Sequence, residues 1–180
     1  MMEKYLECAS VATTHGVRGT LRLECLCDSP AVLRALPRMY LRDASGNMRP
    51  LTVEHASVQK NMVLASFREI DSLDAAIPYK GKTLYADRAD LPLAPGAHFI
   101  ADLIGLPVID EAAGKVGVLS EVITPAGQDI YVIKKPDGGT FMLPAVPAFV
   151  LRISLGETEE EGAAGIYVRL IDGFLNDDEN

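Results

Sequence analysis

Cysteine and histidine are scarce in this sequence of 180 residues, which contains three of each. The cysteines are odd in number, lie within the first 27 residues and form no C-x-x-C pair, so they make a poor disulfide framework and fit a reducing compartment. We interpret Cys8, Cys25 and Cys27 as small apolar residues on strands. A zinc site built from these thiols and a histidine is the less favoured alternative, because it lacks the usual paired spacing.

Long apolar runs are also missing. The N-terminal residues include Glu3 and Glu7 before any apolar run could form the core of a signal segment, and no stretch approaches the length of a membrane span. Hydrophobic residues make up 48% and charged residues 23%, which is typical of a folded globular protein. We therefore expect a cytoplasmic protein that does not bind membranes.

The motifs of common enzymes are absent as well. The three histidines show neither H-x-x-E nor H-E-x-x-H spacing, and no Lys-Ser/Thr follows the glycine-rich turn at residues 16–19, which opens a strand and not a helix. Asp102 has no catalytic partner nearby in the sequence, so a structural cap or a partner contact is favoured over a general base. We expect no catalytic residues, no cofactor and no metal.

Charge differs between the two halves of the chain. Residues 1–91 contain 12 Lys and Arg against 11 Asp and Glu, whereas residues 92–180 contain 5 against 14, and together these give the net charge of −8. Eight of the basic residues in the first half are arginines, which can bind phosphates in a bidentate manner. The acidic second half is expected to prefer a basic protein surface.

Strands separated by turns dominate the first half. Alternating apolar and polar residues predict strands over 5–12, 20–27, 39–41, 49–58, 62–67 and 83–86, with a glycine-containing loop at 13–19 between the first two. Ser29 is the predicted N-cap of a helix over 31–36, and Asp71 the predicted cap of a helix over 72–80 that Pro78 shortens. This succession is typical of a meander that closes into a barrel.

The second half is again mostly strands, predicted over 107–110, 115–124, 130–134, 140–143 and 166–170, with a bulge at Gly117. Residues 144–150 can hold at most one helical turn, and the four glutamates within 156–165 predict a mobile, solvated loop. Prolines in the segment 92–97 predict a short, stiff linker. The expected organisation is a domain over 1–91, this linker, a domain over 98–175 and a flexible tail over 176–180.

Two places have the residue types of an interaction surface. Arg18 lies in the exposed glycine turn with His15, Gly16 and Gly19, where it can bind a phosphate or an acidic groove, or simply be solvated. Phe99, Leu103 and Phe149 are apolar residues near turns, and they either pack at the interface of the two domains or form a partner patch.

Seven segments have the order and spacing of one protein family, although each alone is unspecific. They are Thr14–Gly19, Arg49–Glu54, Ile70–Asp71 with Asp74–Ala76, Arg88–Pro92, Ala101–Leu106, Gly127–Ile130 and Pro144–Val150. In these segments the chain resembles the RimM family of ribosome maturation factors nearly from end to end. The resemblance implies a mainly β protein with two small β-barrels, a translation-factor-like N-terminal barrel and a PRC-type C-terminal barrel, joined by the short proline-containing linker.

The family resemblance also implies a function and partners. It implies a monomeric, non-enzymatic factor that binds the head of the immature small (30S) ribosomal subunit through its ribosomal protein nineteen and assists 16S rRNA maturation. Family members usually carry a Tyr-Tyr pair at the start of the second barrel, which matters for ribosome association, and the matching positions here are His98 and Phe99. The aromatic character of Phe99 remains, but both hydroxyl groups are missing.

The residues predicted to contact the partner are therefore His15, Gly16, Arg18, Gly19, His98, Phe99, Asp102, Leu103 and Phe149. Direct contact between rRNA and the arginine-containing first domain is a further expectation. The alternative function is a translation-factor-like RNA-binding barrel protein with an accessory PRC-type sensor domain, which predicts strongly salt-dependent binding to naked rRNA.

Overall fold

The computed structural model describes residues 2–175, and the chain divides into two compact units, Met1–Ala94 and Pro95–Asn180. Within the described part, no helix has the length and apolar character needed to cross a membrane. The predicted tail over 176–180 lies outside the described residues. Strands dominate both units, so the mainly β prediction is confirmed.

Six antiparallel strands of the first unit form a closed barrel, as the turn-and-strand pattern predicted. The order around the barrel is β1–β2–β5–β4–β3–β6, and each strand buries one face in a common core that includes Leu21, Leu23 and Phe67. The strands are β1 (Tyr5–His15), β2 (Thr20–Cys25), β3 (Arg38–Arg42), β4 (Met48–Gln59), β5 (Met62–Phe67) and β6 (Thr83–Asp87).

Strand β1 is longer than predicted, because a bulge between Val11 and Thr13 allows pairing with β2 to continue as far as His15 and Thr20. The predicted loop over 13–19 is therefore wrong in its bounds, and only residues 16–19 form the turn. His15 is the last residue of a strand and not part of the turn.

Two short helices of the first unit begin at serine caps. In α1 (Pro30–Ala35) the Ser29 hydroxyl accepts from the Val32 N–H, as predicted. In α2 (Leu73–Ala76) the cap is Ser72, whose hydroxyl accepts from the Ala75 N–H, and not the predicted Asp71. A 3₁₀ turn at Ile77–Tyr79 follows, so the predicted shortening by Pro78 is confirmed.

The second unit contains a six-stranded sheet in the order β10–β9–β8–β7–β12–β11, packed on its own core. Only the β7–β12 pair is parallel among the pairs in the described sheet. The elements are α3 (Ile100–Leu103), β7 (Pro107–Asp110), β8 (Gly114–Ile123), β9 (Ile130–Lys134), β10 (Thr140–Pro144), β11 (Val150–Ser154) and β12 (Gly165–Val168).

A bulge in β8 lies where the glycine pattern placed it. Val108 pairs with Gly117 and Ile109 pairs with Lys115, so Val116 is the extra residue. A Cβ atom on Gly117 would lie 2.5 Å from the carbonyl oxygen of Lys134. Glycine is required here because the neighbouring strand approaches this closely.

Strand β11 and helix α3 were not predicted from the sequence. β11 pairs with β12, which begins more than ten residues later, and its sequence Val-Leu-Arg-Ile-Ser lacks strict alternation. Helix α3 is a single turn whose cap residue, Phe99, makes no side-chain capping bond. Neither element has a strong local signal, so tertiary contacts decide both.

Candidate partner-binding surfaces

The turn at residues 16–19 is held rigidly on a neighbouring segment of the same barrel. Gly19 is buried with a φ of +84°, and a Cβ atom there would lie 2.6 Å from the carbonyl oxygen of Ile70. The Leu73 N–H donates to the Val17 carbonyl oxygen at 3.1 Å. The turn is thus fixed by backbone contacts and does not depend on its own side chains.

The side chains of this turn are exposed to solvent on a backbone that is held in place. Val17 is 76% exposed, and His15, Gly16 and Arg18 are exposed as well. The sequence pattern identified Arg18 but missed Val17, although an apolar residue between two turn glycines is a usable signal. Four of the predicted site residues lie here. Gly19 is buried, so it sets the conformation of the turn and is not available to contact a partner.

The second predicted surface begins the second unit. His98 and Phe99 are partly buried immediately before α3, and Asp102 is partly buried within that helix. Leu103 is only 4% exposed and belongs to the core, because it is the residue of α3 that faces the sheet. Leu103 therefore packs within the core of the second unit, which neither of its two predicted alternatives described.

Phe149 also packs internally. Its ring contacts that of Phe174 edge-to-face, with the ring centroids 5.4 Å apart, and it lies against the core of the second unit. Sequence reasoning grouped Phe149 with Phe99 and Leu103. In the structure, Leu103 and Phe149 form part of the support for this surface.

Two apolar residues that the sequence did not single out are exposed beside Phe99. Ile100 is 43% exposed and Ile104 is 42% exposed, and their spacing places them on the same side of α3. The backbone after the helix is held by the Gly105 N–H, which donates to the Leu119 carbonyl oxygen at 2.8 Å. The helix therefore displays an ordered apolar pair.

The glutamate-rich segment at 156–164 is a folded loop. The Arg152 guanidinium donates to the Glu161 carbonyl oxygen and stacks on the Tyr167 ring, at 3.8 Å from its centroid. The Tyr167 hydroxyl donates to the Ala163 carbonyl oxygen at 2.9 Å. Exposed carboxylates of Glu157, Glu159 and Glu160 therefore project from a loop that is anchored at its base.

Aromatic and basic side chains meet on the outer face of the first barrel. Tyr5 and Tyr40 have ring centroids 4.7 Å apart, and Tyr40 pairs across strands with Tyr85. The Arg42 guanidinium lies 4.8 Å from the Tyr85 centroid, and the Lys4 ammonium 5.2 Å from the Tyr5 centroid. We call these five residues the tyrosine face. The sequence did not indicate it, because its members come from β1, β3, β6 and the residue before β1.

Among the described residues 2–175, no cluster of three or more Cys, His, Asp or Glu side chains is arranged to hold a metal ion. Cys8 is buried, and its thiol donates to the Leu84 carbonyl oxygen at 3.4 Å. Asp110, which is 5% exposed, accepts from the backbone N–H groups of Ala112, Ala113 and Leu170 at 2.8–3.0 Å. Burial raises the pKa of this carboxyl, but these hydrogen bonds outweigh burial and the net pKa is lowered.

Comparison with known proteins identifies both units. Residues 6–91 match the RimM N-terminal domain, and residues 100–157 match the RimM PRC barrel domain. The ribosome maturation factor RimM of Ruminiclostridium cellulolyticum is 31% identical over 157 residues, covering 87% of this chain and 92% of that protein. The corresponding protein of Lactobacillus gasseri is 31% identical over 179 residues, covering 98% and 99%.

A crystal structure of a RimM protein from Pseudomonas aeruginosa aligns with 94% of this chain and 99% of its own, with 21% identity and a TM-score of 0.45. Both family domains match in their expected order, and the curated relatives are similar over nearly their whole lengths. The chain therefore belongs to the RimM family of ribosome maturation factors.

Proposed function

We propose that this protein is a non-enzymatic, cytoplasmic factor that binds the immature small (30S) ribosomal subunit and assists assembly of its head and processing of 16S rRNA. The observation that carries the proposal is the family match, which spans both units in order. Relatives similar over nearly the whole chain are named ribosome maturation factors. The protein acts as a monomer and without a cofactor.

The proposed protein partner is ribosomal protein nineteen of the head, bound through the second unit. Support comes from charge, since residues 92–180 contain 14 acidic and 5 basic residues. Exposed glutamates project from the anchored loop at 156–164. An acidic surface with few basic residues favours encounter with a basic ribosomal protein and disfavours naked nucleic acid.

Two contact surfaces are proposed. In the first unit it is the turn that displays Val17 and Arg18, with His15 at its edge. In the second unit it is the start of the PRC domain, where His98, Phe99 and Asp102 adjoin the exposed pair Ile100 and Ile104. Apolar residues displayed on an ordered backbone lose little conformational entropy on binding, which suits both surfaces to recognition.

Cosedimentation of the full chain with immature small subunits tests the second surface. We expect Phe99→Ala, and the exposed double substitution Ile100→Ser with Ile104→Ser, each to weaken binding by about tenfold or more. Met142→Ser is the matched control, because Met142 is apolar and 59% exposed on β10, outside the proposed surface. Binding that is unchanged in the double variant would refute the proposed role of this surface.

The partner is tested with purified ribosomal protein nineteen and the full chain. Replacing Glu159 and Glu160 by lysine reverses the charge of the anchored loop, so we expect a slower association rate and a weaker dependence of that rate on salt. Capture of ribosomal protein nineteen that is equally fast at every salt concentration would contradict charge-guided binding.

A second candidate function is supported by the tyrosine face. Aromatic rings beside cations are typical of barrels that stack bases of single-stranded RNA, and this favours a translation-factor-like RNA-binding barrel with an accessory PRC-type sensor domain. It predicts that naked 16S rRNA fragments bind with a steep salt dependence, and that Arg42→Ala with Tyr85→Ala removes this binding. Binding only to fragments already carrying ribosomal protein nineteen would instead favour the first proposal.

A further inference from the structure

Two cysteine thiols meet at the end of β2, whereas the turn at 16–19 lies before the start of that strand. The Sγ atoms of Cys25 and Cys27 lie 3.6 Å apart, and both residues are partly buried against the barrel core. Cys25 is the last residue of β2, and Cys27 follows in the bend that leads to α1. Both cysteines were predicted to lie on a strand over 20–27, which is correct for Cys25 and wrong for Cys27, because β2 ends at Cys25.

The polypeptide around the thiols holds them in this position. The Leu26 N–H donates to the Cys8 carbonyl oxygen at 2.9 Å, which fixes the backbone between the two cysteines on β1. The Cys25 thiol donates to the Cys27 carbonyl oxygen at 3.4 Å, and the Cys27 thiol donates to the Ser29 carbonyl oxygen at 3.8 Å. Thiols are weak donors, so little hydrogen-bond energy opposes their movement.

The third thiol is placed differently. Cys8 is fully buried in the barrel core, with its thiol bonded to the Leu84 carbonyl oxygen. Its burial separates it from solvent, whereas Cys25 and Cys27 are each partly exposed. Cys8 is therefore an internal reference against which the reactivity of the pair can be measured.

The separation of the two thiols suits an intramolecular disulfide. A disulfide requires an S–S distance of about 2.05 Å and a Cα–Cα distance of about 4.4–6.8 Å. Residues two apart in extended chain are separated by at most about 7 Å, close to the upper limit of this range, so bond formation requires rotation of both side chains and a slight shortening of the segment between them. Cys25 pairs with Ala9 in the β1–β2 ladder, whereas Cys27 lies outside it, so Cys27 is the cysteine whose backbone can adjust without loss of a strand pair.

We propose that Cys25 and Cys27 form a thiol pair that hydrogen peroxide converts to a reversible intramolecular disulfide. One thiol attacks the peroxide, the O–O bond breaks, and a sulfenic acid and one water form. The second sulfur displaces the hydroxyl of the sulfenic acid, which forms the S–S bond and a second water. Two thiols are oxidised, one peroxide is reduced, and both thiol protons end in water.

Burial, and secondly the hydrogen-bonded contact with the Cys25 sulfur, raise the pKa of the Cys27 thiol to about 12. A thiol with so little thiolate at neutral pH exchanges slowly with disulfides such as oxidised glutathione. Attack on hydrogen peroxide also requires a thiolate, so oxidation of the pair is expected to be slow at neutral pH and faster as the pH rises. The resulting covalent link would join the end of β2 to the segment that enters α1.

Intact-mass spectrometry of the full chain treated with hydrogen peroxide tests this proposal. We expect the loss of two hydrogen atoms, reversed by dithiothreitol, and one remaining free thiol that maps to Cys8. Cys8→Ala is the matched control and should oxidise like the unsubstituted protein. Cys25→Ser and Cys27→Ser should each form no intramolecular disulfide.

Peptide mapping of the unsubstituted protein after thiol alkylation tests the same disulfide prediction without any substitution. Three alkylated cysteines after peroxide treatment would refute the proposal. A disulfide that includes Cys8, a covalent dimer, or a gain of oxygen without disulfide formation would refute it equally.

Discussion

Replacing each of two glycines in the turn at 16–19 by alanine distinguishes two energetic costs, that of a side chain at positive φ and that of overpacking against neighbouring backbone. Gly16 and Gly19 both have a positive φ, of +68° and +84°. A Cβ atom at Gly16 meets no atom within 4 Å, whereas one at Gly19 would lie 2.6 Å from the Ile70 carbonyl oxygen and 3.0 Å from the Ser72 nitrogen. Alanine at either position therefore meets the same conformational cost, but only alanine at Gly19 also meets backbone atoms.

The expected magnitudes follow from this geometry. Placing an L-residue in the left-handed region costs about 1 kcal/mol, so Gly16→Ala should lower the free energy of unfolding of the first unit by about that amount. Overpacking against backbone that cannot move freely adds about 2 kcal/mol, so Gly19→Ala should lower it by about 3 kcal/mol. For a domain of this size, the difference between the two variants corresponds to roughly 10 °C in melting temperature.

Urea unfolding of the full chain, followed by circular dichroism, measures these changes. Hydrogen exchange with mass spectrometry then assigns each change to the first or second unit. We also expect faster exchange of the Leu73 N–H in Gly19→Ala, because that group donates to the Val17 carbonyl oxygen. Equal destabilisation by the two substitutions would refute the inference that Gly19 is required by close packing.

Two further predictions concern other local features. Asp110→Asn should destabilise the second unit by about 2 kcal/mol. The reason is that three backbone N–H groups donate to the Asp110 carboxylate and would lose this charged acceptor. The folded pKa of Asp110 is lowered, so its stabilisation is complete above the ordinary carboxyl pKa of about 4 and is lost as the pH falls below it. Thermal unfolding between about pH 7 and pH 3 should therefore be less pH-dependent in Asp110→Asn, and an unchanged dependence would contradict this role. Ser29→Ala removes the cap of α1 and should cost about 1 kcal/mol in urea unfolding, whereas Ser45→Ala, in an exposed turn where the Ser45 backbone N–H makes the bond, should change little.

Sequence patterns were sufficient where one short segment contains the whole signal. Alternation over 20–27 predicted a half-buried strand, which the structure has at Thr20–Cys25, and Ser29 followed by proline predicted a helix start. The family resemblance predicted the order of the two domain types that the comparisons identify. Among the site residues, the exposed arginine turn was found because glycines on both sides of Arg18 mark it.

Local pattern misled where two neighbouring residues offer the same chemistry. Both Asp71 and Ser72 are good N-caps, and the choice of Ser72 depends on where the chain leaves the Gly19 contact. Leu103 was included among the partner-binding candidates because it is an apolar residue near a turn, and packing was left open as its alternative. Its burial follows from the direction in which α3 faces the sheet.

By itself, the sequence determined the mainly β character, most strands of the first barrel, the scarcity of catalytic and metal-binding motifs and the difference in charge between the halves. These depend on residue type and on spacing within a few positions. Only the tertiary structure decided strand β11, the contact of Gly19 with Ile70, the tyrosine face and the meeting of the Cys25 and Cys27 thiols. Each of these depends on contacts whose distances are set by strand pairing, bulges and packing, and no local pattern encodes them.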